Sequence, residues 1–179
     1  MVPKPRVALP PVVFVRSVLR SFMAESGLEP RLLGAGIRVT QAVQGKLDFE
    51  LDITKDHTNR LGILHGGTIA SMVDLGGSLA VASTGLYATG VSTDLNVTYL
   101  SSGGPAGNKI TATATCDKIG KTLAYTSVTF RDHKGELAAR GSHTKYVTHA
   151  VKAQHSPFVP PGGVEIVDED FDGTGINRE

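Results

Sequence analysis

One segment limits the possible architecture more than any other. Between about residues 68 and 82, Ile69, Met72, Val73, Gly76 and Ala80 recur at helical spacing. The same segment is crowded with small residues, among them Ala70, Ser71, Gly77, Ser78 and Ala82. An interior helical glycine costs about 0.8–1 kcal/mol relative to alanine, so the consecutive pair Gly76-Gly77 demands a compensating contact. Close approach of surrounding backbone would supply one. The segment therefore predicts a buried central helix with a sheet wrapped round it.

Period-two patterns lie on both sides of that helix. Ile37, Val39 and Gln41 point one way before a Gln44-Gly45 turn; Leu47, Phe49, Leu51 and Ile53 then alternate with Asp48, Glu50 and Asp52. Together they predict a hairpin. Four more strands are expected over residues 91–100, 109–117, 122–131 and 136–147, punctuated at Ser102-Gly103-Gly104-Pro105, Ile119-Gly120 and His133-Lys134-Gly135. In the first of them Val91, Thr93, Leu95, Val97 and Tyr99 alternate with Ser92, Asp94, Asn96 and Thr98, which puts Ser92 and Leu95 on opposite faces. Two strands, one long helix and four strands make an α+β fold, an antiparallel sheet on a single helix.

The ends differ in character. Residues 1–11 read as a loose tail, about 12–25 as a short helix with Val15, Val18, Leu19 and Phe22 on one face, and 27–36 as a connector. Lys4, Arg6, Arg16 and Arg20 all precede the first acid, Glu25, a pattern that also resembles a mitochondrial transit segment. An intracellular location, cytoplasmic or mitochondrial, is expected. Residues 151–179 hold six acids against two bases and the breaker run Phe158-Val159-Pro160-Pro161-Gly162-Gly163, which predicts a flexible acidic tail. Three regions follow: 1–30 (tail and short helix), 31–150 (the main domain) and 151–179.

With the tail set aside, residues 1–150 carry about +5 against +1 for the whole, friendlier to an anionic ligand than the total suggests. The small total argues against a generally basic nucleic-acid binder. No apolar run approaches the roughly 20 residues that span a bilayer. The single cysteine, Cys116, rules out an internal disulfide and sits in an alternating strand, where it reads as a small buried residue rather than a nucleophile.

The chemistry concentrates in His57-Thr58-Asn59 through Leu64-His65-Gly66-Gly67 and the helix that follows. Glycines at a helix start let backbone N–H groups approach a ligand closely, and the unpaired groups there favour negative charge. The oxyanion of an ester or thioester is such a charge, with Gly66 N–H as the candidate donor. Asp74 is the only acid between Asp56 and Asp94. A carboxylate among Val73, Leu75 and Gly76 is costly to bury without a task or a partner. It would act as a general base on water or attack a carbonyl directly. Ser92 and Asn59 offer neutral hydrogen-bonding groups, and His65 could orient a substrate or cap the helix. The scattered histidines and absent cysteine partners argue against zinc.

These residues, with Gly90-Val91-Ser92, Asp94-Leu95-Asn96-Val97-Thr98-Tyr99, Gly120-Lys121-Thr122-Leu123-Ala124 and His143-Thr144-Lys145, resemble the hotdog-fold thioesterase superfamily. The branch is that of phenylacetic-acid-degradation thioesterases and mammalian acyl-CoA hydrolases, and the resemblance covers roughly residues 39–147. It implies acyl-CoA substrates, no metal, no cofactor beyond the CoA of the substrate, and dimers that pair into a tetramer. It also implies sites between subunits, where Asp74 of one chain faces Asn59, His65 and Gly66 of its partner. Asp74 would be the catalytic acid, Gly66 the oxyanion donor, Asn59 and His65 substrate-positioning groups, and Ser92 a holder of the attacking water. Lys121, Arg140 and Lys145 would meet the CoA phosphates near the subunit surface. A hotdog dehydratase and a non-catalytic acyl-CoA-binding module are the alternatives. The dehydratase needs an acid–base pair, and the helix offers Asp74 no second titratable residue.

Overall fold

The computed structural model describes residues 9–153. Helix α1 spans Pro11–Glu25, with proline in its first turn, where a missing N–H costs nothing. Its Val15, Val18 and Leu19 are fully buried, each contributing about 1.5–3 kcal/mol by burial. Phe22 is only partly buried against the same core. The connector expected over 27–36 contains a four-residue helix, α2 (Glu29–Leu32), and a tight helical turn at Gly34–Gly36.

Strands β1 (Ile37–Val43) and β2 (Lys46–Asp52) form the expected hairpin. After the central helix α3 (Gly66–Ala82) come β3 (Val91–Tyr99), β4 (Lys109–Ile119), β5 (Leu123–Arg131) and β6 (Leu137–Tyr146). All pair antiparallel in one six-stranded sheet, in the order β1-β2-β4-β5-β6-β3. A last short helix, α4, spans Thr148–Ala153. The acidic tail lies outside the described residues apart from its first three, which close α4.

The sheet curls round α3. Twelve of the 17 residues of α3 are buried, so the helix is enclosed rather than laid on one face. Its mid-helix glycines meet close neighbours, but these are side chains rather than the backbone expected from sequence. A Cβ on Gly76 would lie 2.8 Å from the Phe49 ring; one on Gly77 would lie 2.5 Å from both His143 Nδ1 and Thr126 Oγ1.

Two features of the elements matter for the site. The helix starts at Gly66, as the assignment of Gly66 N–H as the oxyanion donor requires, although the apolar periodicity begins only at about residue 68. In β3 the register against β6 shifts between Ser92 and Asp94, so that Ser92 pairs with Lys145 and Leu95 with His143. Directly opposed residues share a face, so the bulge at Thr93 reverses the phase of the strand. Ser92 therefore joins Leu95 on the face toward α3, against the strict alternation read from sequence.

Candidate active site

Asp74 projects from the middle of α3 with its side chain 43% exposed. Ser92 donates its hydroxyl hydrogen to Asp74 Oδ1 at 3.0 Å, an approach the β3 bulge makes possible. The same Oδ1 lies 3.0 Å from His143 Nε2, which is also 2.9 Å from Ser92 Oγ. Both contacts suit a proton on Nε2. The other ring nitrogen, Nδ1, is buried with no hydrogen-bond partner among the described residues, which suits a bare lone pair better than an N–H. Leaving such a group unsatisfied costs about 1–3 kcal/mol. Two donors thus fix the carboxylate through one oxygen. Its Oδ2 accepts no hydrogen bond among the described residues and is the oxygen left for chemistry.

His143 is not among the site residues expected from sequence, although it lies in one of the segments that carry the family resemblance. It comes from β6 and is wholly buried, fitting where Gly77 has no side chain. Thr126 Oγ1 donates to its carbonyl at 2.8 Å. Burial, and then the charge of Lys145, push the imidazole down to about 4, against the opposing pull of Asp74. His143 is therefore neutral at pH 7. The signal that could have found it is the parity of β6, where Ala139, His143 and Lys145 share the inward side.

Lys145 corrects one expectation. Expected as a surface cation for CoA phosphates, it is 3% exposed, with Nζ donating to Ser78 Oγ at 2.8 Å. Burial lowers its pKa. Lys121 and Arg140 are exposed.

The remaining candidates gather at the start of α3. His65 is its N-cap: Nδ1 accepts from Gly67 N–H at 2.8 Å, so its proton sits on Nε2. Asn59 Oδ1 accepts from Leu61 and Ile63 N–H, bracing the loop and leaving its amide hydrogens for another partner. Tyr99 donates to Gly66 carbonyl oxygen at 2.9 Å, and no described residue accepts from Gly66 N–H. These groups do not meet Asp74 within the chain. Eight helical steps lead from Gly66 to Asp74, about 12 Å at 1.5 Å per residue.

Cys116, on β4, has its thiol pushed up to about 11 by burial and by neighbouring Asp117, which leaves it protonated and unreactive. Among the described residues no group of three or more His, Cys, Asp or Glu side chains could hold a metal ion, and no helix is long and apolar enough to cross a membrane.

An antiparallel sheet curled round one helix, with an oriented carboxylate on that helix and an open glycine-bounded helix start, defines the hotdog class. The chain belongs to the thioesterase superfamily, whose model matches residues 61–139. Human (Homo sapiens) acyl-coenzyme A thioesterase 13 is 40% identical over 136 residues, 74% of this chain and 94% of that protein. A protein of Schizosaccharomyces pombe is 46% identical over 77% of this chain and 85% of its own length. The crystal structure of zebra fish thioesterase superfamily member 2 aligns with a TM-score of 0.70 at 35% identity, covering 78% of this chain and 99% of that one.

Proposed function

We propose that the protein hydrolyses acyl-CoA thioesters to the free acid and CoA, with Asp74 Oδ2 as the reacting base. The observation that carries this is the carboxylate itself: one oxygen held by Ser92 and His143, the other open to a cleft. Water attacks the thioester carbonyl carbon as Oδ2 takes its proton. The oxyanion collapses, the C–S bond breaks, and the CoA thiolate takes a proton from the carboxyl group. Direct attack by Oδ2 would give an anhydride that water then opens, with the same products.

Gly66 N–H supplies the oxyanion donor, and a donor of this kind is worth about 2.7–4 kcal/mol. At about 12 Å along its own helix it is too far from Asp74 to serve the same carbonyl. We assign the donor to a second copy of the chain. Strand β3 supports that pairing: it ends the sheet with one edge unpaired among the described residues and has no buried residue, and Val91 and Tyr99 are 63% and 52% exposed. Asn59 and His65 of the second copy would then orient the thioester, and the dimers would pair into tetramers. Lys121 and Arg140 remain the candidates for the CoA phosphates; Lys145 does not.

A dehydratase would need a second titratable group facing substrate. His143 is next to Asp74, but it is sealed inside the sheet.

Thiol release from a panel of acyl-CoAs tests the assignment, with wild type and Asp74→Asn compared. The substitution should cut turnover by about 10²–10⁴-fold, the usual worth of a positioned base, while the oligomer stays intact. Near-full activity in the variant would remove Asp74 from the mechanism.

A further inference from the structure

The short connector between α1 and β1 borders the reactive carboxylate. A cleft of about 310 Å³ includes Asp74 and Ser92 in its lining, and Leu28, Leu32 and Leu33 form one of its sides. Ala70 of α3 and Leu95 of β3 also line it. The cleft is therefore apolar except at Asp74 and Ser92, at Ser71, whose hydroxyl donates to the Gly67 carbonyl, and at Glu29, the one charged residue of the connector side.

The connector side is anchored from behind. Leu33 is 1% exposed within the main core, and Leu32 packs partly against the same core. Leu28 is 58% exposed, so its apolar surface is still available to a ligand. The Ser26 hydroxyl donates to the Glu29 carboxylate, tying the start of α2 in place. All of this lies outside residues 61–139, the part that matches the superfamily model. The carboxylate stands on the shared helix, and the surface opposite it comes from a segment beyond that match.

We propose that α2 and Leu28 form the wall that seats the acyl group and sets its length, and that the group is uncharged and apolar. The inference rests on the thioesterase reading above and adds what that reading leaves open. A volume of about 310 Å³ lies at the low end of the usual range for ligand clefts, about 300–1,000 Å³. Glu29, on the same wall, disfavours acyl chains that end in a carboxylate. A longer chain gains nothing once the cleft is full, because its end stays in water.

The test is kcat/KM for the full chain on saturated acyl-CoAs from two to sixteen carbons, in wild type, Leu32→Trp and Leu28→Ala. In wild type kcat/KM should rise by up to about fourfold per methylene, the worth of one buried CH₂, and level off once the chain fills the cleft. Leu32→Trp fills the cleft and should lower the decanoyl-to-acetyl ratio at least tenfold. Leu28→Ala removes exposed surface without threatening the fold, and should lower that ratio about three- to fivefold. Ratios within twofold of wild type in both variants would overturn the proposal.

Calorimetric binding of decanoyl-CoA to Asp74→Asn, with and without Leu32→Trp, reads the cleft when turnover does not. Weaker binding with tryptophan supports the wall even if no acyl-CoA is hydrolysed, an outcome that would sink only the thioesterase reading. Equal binding in the two proteins would count against the wall itself.

Discussion

The central helix carries two glycine pairs, and they do opposite things. Gly66-Gly67 opens the helix outward: Gly67 N–H is capped by His65, Gly66 N–H is left without a partner among the described residues, and the nearest obstruction to a Cβ on Gly66 is the ring of half-exposed Tyr99 at 3.2 Å. Gly76-Gly77 closes inward. Phe49 and His143 occupy the volume that side chains there would take. The same dipeptide exposes backbone to a ligand at one end and admits side chains into the core in the middle. What distinguishes them is the surrounding sheet, which encloses one pair and leaves the other at the rim.

The largest effect that can break this contrast belongs to His143, the occupant of the interior pair. Its folded pKa lies near 4 and its ordinary value at 6.5, so between those limits the unfolded chain binds more protons. Stability should therefore rise with pH from about 4 to 6.5, by up to about 3 kcal/mol, and be fully present above 6.5. Urea titrations across that range should show the slope in wild type and a much flatter profile in His143→Gln. Equal slopes would place the protonation elsewhere.

Next comes Gly77→Ala. Its methyl would crowd His143 Nδ1 and Thr126 Oγ1, and overpacking of this kind costs about 1–3 kcal/mol, offset by about 1 kcal/mol of helix propensity. A net loss of about 1 kcal/mol is expected, together with reduced turnover as His143 leaves Asp74. A variant as stable as wild type would show that the interior pair is not required.

The smallest effect is at the rim. Gly66→Ala meets only the side chain of Tyr99, which can swing outward, so stability should change by less than about 0.5 kcal/mol. Turnover should nevertheless fall about tenfold as the methyl crowds the donor. Loss of stability without loss of activity would reverse the roles assigned to the two pairs.

Much of the fold is legible in the sequence because its signals are local. The switch from period two to helical spacing and back locates the elements, and the cost of Gly76-Gly77 alone implies an enclosed helix. Asp74 is legible as a lone acid in an apolar segment. Its partner is not, since His143 lies 69 positions away and reaches Asp74 only because β6 runs beneath α3. Strict alternation separates Ser92 from Leu95, because a one-residue bulge leaves no mark in an alternating pattern that is otherwise intact. Residue type alone puts Lys145 at the surface, although the strand parity it shares with His143 points inward. Residues 27–36 look like a plain connector because four helical residues are too few to show a period.

The strand order has a consequence for how the chain is made. The sequential neighbours β4, β5 and β6 pair in turn, but β3 finds its only described neighbour in β6, with Val91 set against Tyr146. During synthesis, α3 and β3 leave the ribosome well before that partner exists, with loop closure deferred across more than fifty residues. Over that interval β3 is an unpaired edge exposed to other nascent chains. Arrival of β6 seats β3 and delivers His143 to Asp74 in the same step, so the carboxylate acquires its orientation only as the sheet is completed. A chain interrupted before residue 143 would retain the acid and the helix but lack the means to aim them.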